Sequence, residues 1–219
     1  MRPVEKPALR DATGAPREFA CYQDARDHLE AVIGGYCSYC GLCPEPPHTE
    51  HVQPKSDRPD LAREWGNLLL ACTWCNSRKG HAPVDLGDYL WPDRDNTARA
   101  FSYDASGAVR LQPGLAGEVL VKARRTLDLL KLDAIGDRRH IKRHAAWRRA
   151  VDAMADLAAS REPDLMRRRV VAEATATGFW PVWITVFADD EDMLARLTAA
   201  FPGTWPRWRD ESVRPGGVL

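Results

Sequence analysis

Apolar side chains recur at Tyr22, Ala25, Leu29, Val32 and Ile33, the spacing that one face of a helix produces, so residues 18–33 are predicted helical and Gly34-Gly35 ends the element. Two longer patterns follow. Leu120, Ala123, Leu127, Leu130 and Ala134 alternate steps of three and four and predict a helix over 117–132. Residues 137–160 read as another, with Ile141, Ala145, Val151, Met154 and Ala158 expected to face inward. Strand signals are shorter. Leu68, Leu69 and Leu70 form one apolar run, residues 49–52 a second strand, and AFSYDASGAVRL at 100–111 a hairpin around Ser106-Gly107. The aromatic and β-branched run FWPVWITVFA at 179–188 predicts a further strand, kept to an edge by Pro181, and residues 192–201 a short helix. The first 17 residues, rich in Pro and charge, read as an extended arm.

Composition narrows this picture. The chain has 219 residues, 44% of them hydrophobic, enough for a core. No long apolar run or signal peptide is evident, so neither membrane nor export is expected, and six cysteines without a disulfide framework suit a reducing cytoplasm.

The densest chemistry lies at residues 37–81. Cys37/Cys40 and Cys72/Cys75 are two Cys-x2-Cys pairs, the arrangement that a tetrahedral structural zinc requires. Cys40/Cys43 is an overlapping alternative, and Cys21 stands apart as a small core residue. Between the pairs come Glu50-His51 and Asn67, and Asn76 directly follows the last cysteine. Imidazole suits general-base work near neutrality, and one carboxylate plus one amide oxygen suits a hard divalent ion. In a regular strand Glu50 and His51 would point to opposite faces.

In this order the segment resembles the HNH (ββα-metal) nucleases that carry a four-cysteine zinc. The expected fold class is α+β, a zinc-stapled ββα-metal motif embedded in a mainly helical protein, with an N-terminal arm and helix at 1–36, the HNH motif at 37–90 and a mainly helical region at 91–219. The resemblance implies that His51 deprotonates water, Asn67 braces its loop, Glu50 and Asn76 hold a catalytic Mg2+ or Mn2+, Zn2+ sits on Cys37, Cys40, Cys72 and Cys75, and Lys79 contacts phosphate. His48 and His81 read as loop or surface residues. The wider organisation is similar, loosely, to stand-alone HNH nucleases of Septu- and retron-type anti-phage systems, which implies a partner ATPase or sensor subunit.

Net charge is zero, yet residues 119–149 hold ten Lys and Arg against three Asp. Such a local excess favours a phosphate backbone, and Arg124, Arg125, Arg138, Arg139, Lys142 and Arg143 are the expected DNA contacts. His140 and His144, at i and i+4, lack the acid of a zinc-hydrolase helix and read as surface residues. Three rivals stand beside the endonuclease reading: a non-catalytic zinc-ribbon module that binds nucleic acid, a nuclease subunit gated by a partner, and a sequence-specific restriction enzyme.

Overall fold

The computed structural model describes residues 1–43 and 47–210. It bears out the mixed class: short two-stranded sheets beside seven α-helices among the described residues, with the four-cysteine cluster in the ββα segment. No described helix is long and apolar enough to cross a membrane.

The chain begins as a packed strap where an extended arm is expected. Met1 and Val4 are buried, Arg2 donates to Pro202 O at 2.6 Å and Thr204 Oγ1 at 2.8 Å, and the Lys6 ammonium reaches Asp93 at 3.2 Å and the carbonyls of Trp65 and Leu68. Buried cations that find several acceptors repay the ordering of a segment that composition alone reads as loose. A 3-10 turn at Tyr22–Ala25 then leads into α1 (Arg26–Ile33), which Gly34 terminates at φ 75°. The Cys21 side chain is exposed and hydrogen-bonded to Asp24, which corrects its reading as a core residue.

Strands β1 (His48–His51) and β2 (Leu68–Ala71) pair antiparallel, with His51 opposite Leu68 and Glu50 opposite Leu69. Helix α2 (Thr73–Lys79) follows at once, capped by the Cys72 side chain and closed by Gly80. The predicted hairpin forms as β3 (Phe101–Tyr103) and β4 (Val109–Leu111). Next come α3 (Gly117–Leu130), α4 (Arg138–Ala159), α5 (Pro163–Thr177), α6 (Trp180–Val186) and α7 (Glu191–Ala200).

Two cores hold these elements. One joins the N-terminal strap, α1, the cysteines and β2 to Leu90, Trp91, Phe101, Val109 and the apolar face of α3, so packing runs across residue 90. The other lies among α4 to α7.

Two elements depart from their patterns for identifiable reasons. The run after Phe179 is helix α6, because Pro181 occupies the first turn, where its missing N–H costs nothing, and Trp180, Val182, Trp183 and Ile184 are all buried. Burial of the consecutive residues Trp180 to Ile184 overrides β-propensity there. In α4 the inward face is Arg139, Arg143, Ala146, Ala150 and Ala153, while Ile141 is 57% exposed and Val151 and Met154 also face out. The two arginines turn inward because the end of α3 leaves carbonyls without intrahelical partners: Arg139 donates to Leu130 O and Lys131 O, and Arg143 to Leu132 O and also to Gly107 O in the β3–β4 turn. Alanines on the same face let α4 approach α6 closely.

The two cores meet at the first cysteine knuckle. Phe179 N donates to Gly41 O at 2.7 Å, and Leu42 bridges to Gly178. Gly178 has φ 77°, and a Cβ there would lie 2.5 Å from Gly41 O, so only glycine allows this approach.

Candidate active site and metal centre

Cys37 and Cys40 sit on the turn before β1, and Cys72 and Cys75 on the N-terminal turn of α2, so the β1–β2 pair closes them onto one point. All four thiols are buried, with ligand atoms within 4.8 Å of one another, and Cys40 Sγ lies 3.7 Å from Cys72 Sγ. A tetrahedron with metal–sulfur bonds of about 2.3 Å has edges of about 3.8 Å, so the donor set fits an ion such as zinc. Cys43 lies outside the cluster. Without a cation the thiols could not all ionise: contacts with the other three favour the Cys72 thiolate, the same contacts push the Cys75 thiol up, and burial does so for Cys40. A bound divalent ion would relieve that conflict.

The centre has a partner from outside the ββα segment. Arg139 Nη1 donates to Cys75 Sγ at 3.4 Å, while its Nε and Nη2 grip Asp137 Oδ2 at 3.0 and 2.6 Å. A guanidinium beside a sulfur cluster offsets thiolate charge and fixes α4 to the knuckle. Arg139 and Arg143 are each 1% exposed, so neither presents its charge to nucleic acid, contrary to the reading of the basic run. Arg124, Arg138 and Lys142 are exposed, and Arg125 is exposed but paired with Asp88.

The pleat separates Glu50 from His51. Glu50 points inward and is 3% exposed; Lys79 Nζ donates to its Oε1 at 2.8 Å and the Tyr39 hydroxyl to its Oε2 at 2.5 Å. Burial pushes the Glu50 carboxyl up, and Lys79 opposes that shift. Lys79 is itself 3% exposed and also donates to His51 O at 2.7 Å, so it is an internal clamp rather than a surface phosphate contact. Removing one member of a buried pair leaves the other charge uncompensated, at a cost of roughly 3–5 kcal/mol. Lys79→Met should therefore lower unfolding stability by about that amount in a denaturant titration, and adding Glu50→Gln to it should recover a large share.

His51 lies on the other face, half-buried beneath Tyr22, with ring centroids 4.5 Å apart. Its Nε2 is 2.9 Å from Ala62 O. A carbonyl can only accept, so Nε2 carries the proton and Nδ1 keeps its lone pair. Burial lowers the His51 pKa below its usual value; the Ala62 carbonyl opposes this, and Lys55 and Lys79 reinforce it. The ring is thus neutral and basic at pH 7.

Asn67 closes the loop after His51. Its Oδ1 accepts from Gln53 N at 2.8 Å and its Nδ2 donates to Gln53 O and Leu61 O at 3.0 and 3.2 Å, while Val52 N donates to Asn67 O at 2.8 Å. Asn76 is exposed on α2. The pair expected to hold a hard ion therefore does not fit one as it stands: Asn76 offers an oxygen at the surface, but both Glu50 oxygens are taken inside. His48 is exposed and 3.2 Å from Thr73 Oγ1, and His81 is exposed. The roles of Tyr39 at Glu50 and of Arg139 at Cys75 are not legible in the sequence. Tyr39 sits inside the first knuckle, where an aromatic is a weak signal, and Arg139 is hidden in a run of bases.

The cysteine cluster, the strand-end histidine and the helix behind it are the contents of one known motif. Residues 37–82 match the HNH endonuclease family. No curated protein matches the chain. The HNH segment thus spans both knuckles, β1, β2 and α2, and the family implies endonuclease chemistry on a nucleic acid.

Proposed function

We propose that this protein is a metal-dependent endonuclease that hydrolyses DNA phosphodiester bonds through His51. The observation that carries the reading is the His51 ring itself: Nε2 is tied to Ala62 O, the ring is neutral, and Nδ1 is left to accept a proton from water. Lys79 and Asn67 are positioning residues that hold the backbone on either side of that ring. Zinc on the four cysteines is structural and fastens β1 to α2. Mg2+ or Mn2+, if bound, would supply charge beside the phosphate. Asn76 would be an accessible protein ligand for it, and Glu50, held by Lys79 and Tyr39, would not. Family chemistry gives 5′-phosphate and 3′-hydroxyl ends. The likeness to anti-phage nucleases supports a role in defence beside an ATPase or sensor.

One observation favours a second reading, a subunit silent until a partner reshapes it: Glu50 is locked by Lys79 and Tyr39. In that case cleavage would appear only when the partner is added.

The test is the pH profile of single-turnover cleavage. Because the base works deprotonated and its pKa is lowered, the rate should fall about tenfold per unit below an inflection under pH 6.5 and be level above it. A rate that stays flat well below that inflection would remove His51 from the role.

A further inference from the structure

A cleft of about 550 Å³ opens beside the cysteine centre, between the start of α2 and the outer face of α4. Thr73 and Trp74 line one wall, Arg138, Lys142 and Arg149 the other, and Phe179 the floor. The three bases follow the helix period, so they share one stripe of α4. Among the described residues no carboxylate lines the cleft. Three other charges of the basic stretch are paired, Lys122 with Glu118, Arg125 with Asp88 and Arg139 with Asp137, while Arg124, Lys131 and Arg148 are exposed outside the cleft. Arg138 and Lys142 form no ion pair among the described residues, and Arg149 meets only the Thr177 hydroxyl, at 3.5 Å. Trp74 is 40% exposed although it is one of the largest apolar side chains in the chain.

Unpaired cations facing an exposed indole across a concave wall match what an unpaired nucleotide needs: charge for its phosphate and a π-face for its base. A base stacked within a duplex has no free face to offer an indole. The cleft reaches the strand that carries His51 through one side chain. Thr73 contacts His48 at the start of β1, and His51 ends that strand about 10 Å further on, at roughly 3.3 Å per residue.

We propose that this cleft binds single-stranded nucleic acid next to the bond being cut, with Trp74 stacking on a base and Arg138, Lys142 and Arg149 holding the backbone. The inference rests on the nuclease reading for its place in the reaction but not for binding itself. It assigns the substrate an unpaired segment, such as a flap, a gap or a displaced strand.

The test uses the full-length, metal-loaded protein carrying His51→Ala to prevent cutting, with fluorescent oligothymidylate, oligouridylate and a duplex as probes. On this background Trp74→Leu should weaken single-strand binding by about five- to a hundredfold, with duplex binding little changed and partial rescue by Trp74→Phe. Arg138→Ala with Lys142→Ala should reduce the slope of log affinity against log salt by about 1.4 for single strands. Preference for either sugar identifies which strand is held. Unchanged single-strand affinity in both sets, or equal loss for duplex and single strand in Trp74→Leu, overturns the proposal. If the variants lose binding as expected while protein with intact His51 cuts nothing, the nuclease reading fails and the cleft stands. If it cuts and the variants bind normally, the cleft fails alone.

Discussion

Removing the metal from the four-cysteine centre should unfold the core built around it. Structural zinc contributes about 10–16 kcal/mol of apparent binding energy in small zinc domains at neutral pH, as much as or more than the 5–15 kcal/mol that typically separates a folded chain from an unfolded one. Here the thiols are buried in the same core as β2, α1 and the apolar face of α3, and no disulfide joins them. The loss would spread further, because Arg139 ties α4 to Cys75. Chelation, or Cys72→Ser, should abolish cooperative melting of this core and expose the segment 37–82 to protease. Cys21→Ser, at an exposed thiol bonded only to Asp24, should change stability by less than about 0.5 kcal/mol. Metal analysis with melting followed by circular dichroism checks both, and an unaltered melt after complete chelation would show that the centre is not structural.

The second large effect concerns His51. Replacing it with alanine removes the only group on the outer face of β1 whose tautomer and basicity are both set for proton abstraction, and positioned general bases contribute about 10²- to 10⁴-fold. Single-turnover cleavage should fall by that factor. Stability should change little by comparison, since the ring makes one hydrogen bond and one aromatic contact and is half-exposed. His48→Ala is the control. That side chain is exposed and engages only the Thr73 hydroxyl, so a loss below about fivefold is expected, set by the small net worth of one such bond.

What could be read from the sequence follows the range of the forces involved. Cysteine spacing reports metal geometry directly, because two ligands three residues apart on one turn reach the same ion; the structure brings Cys37, Cys40, Cys72 and Cys75 together and leaves out Cys43. The separation of Glu50 from His51 also follows from the pleat, which alternates side chains whatever surrounds them. The fate of Glu50 was not legible. Its partner Lys79 is 29 positions away, and nothing local distinguishes a lysine that meets phosphate from one that meets a buried carboxylate. The same ambiguity hides Arg139 and Arg143 among six exposed-looking bases, when the orphan carbonyls at the end of α3 draw these two inside. Periodicity failed in α4 because alanine carries little hydrophobic signal, yet Ala146, Ala150 and Ala153 are buried in the core that α4 shares with α5, α6 and α7. At 180–186 local propensity favours a strand, and the burial of five consecutive residues from Trp180 decides for helix.

The most direct measurement is the conversion of supercoiled plasmid by the zinc-loaded protein in Mg2+, in Mn2+ and in EDTA, with His51→Ala alongside at matched fold and metal content. Nicked and linear products are expected in the divalent ions, none in EDTA, and loss of cleavage in the variant. Cleavage that persists at the wild-type rate in His51→Ala would contradict the role given to His51.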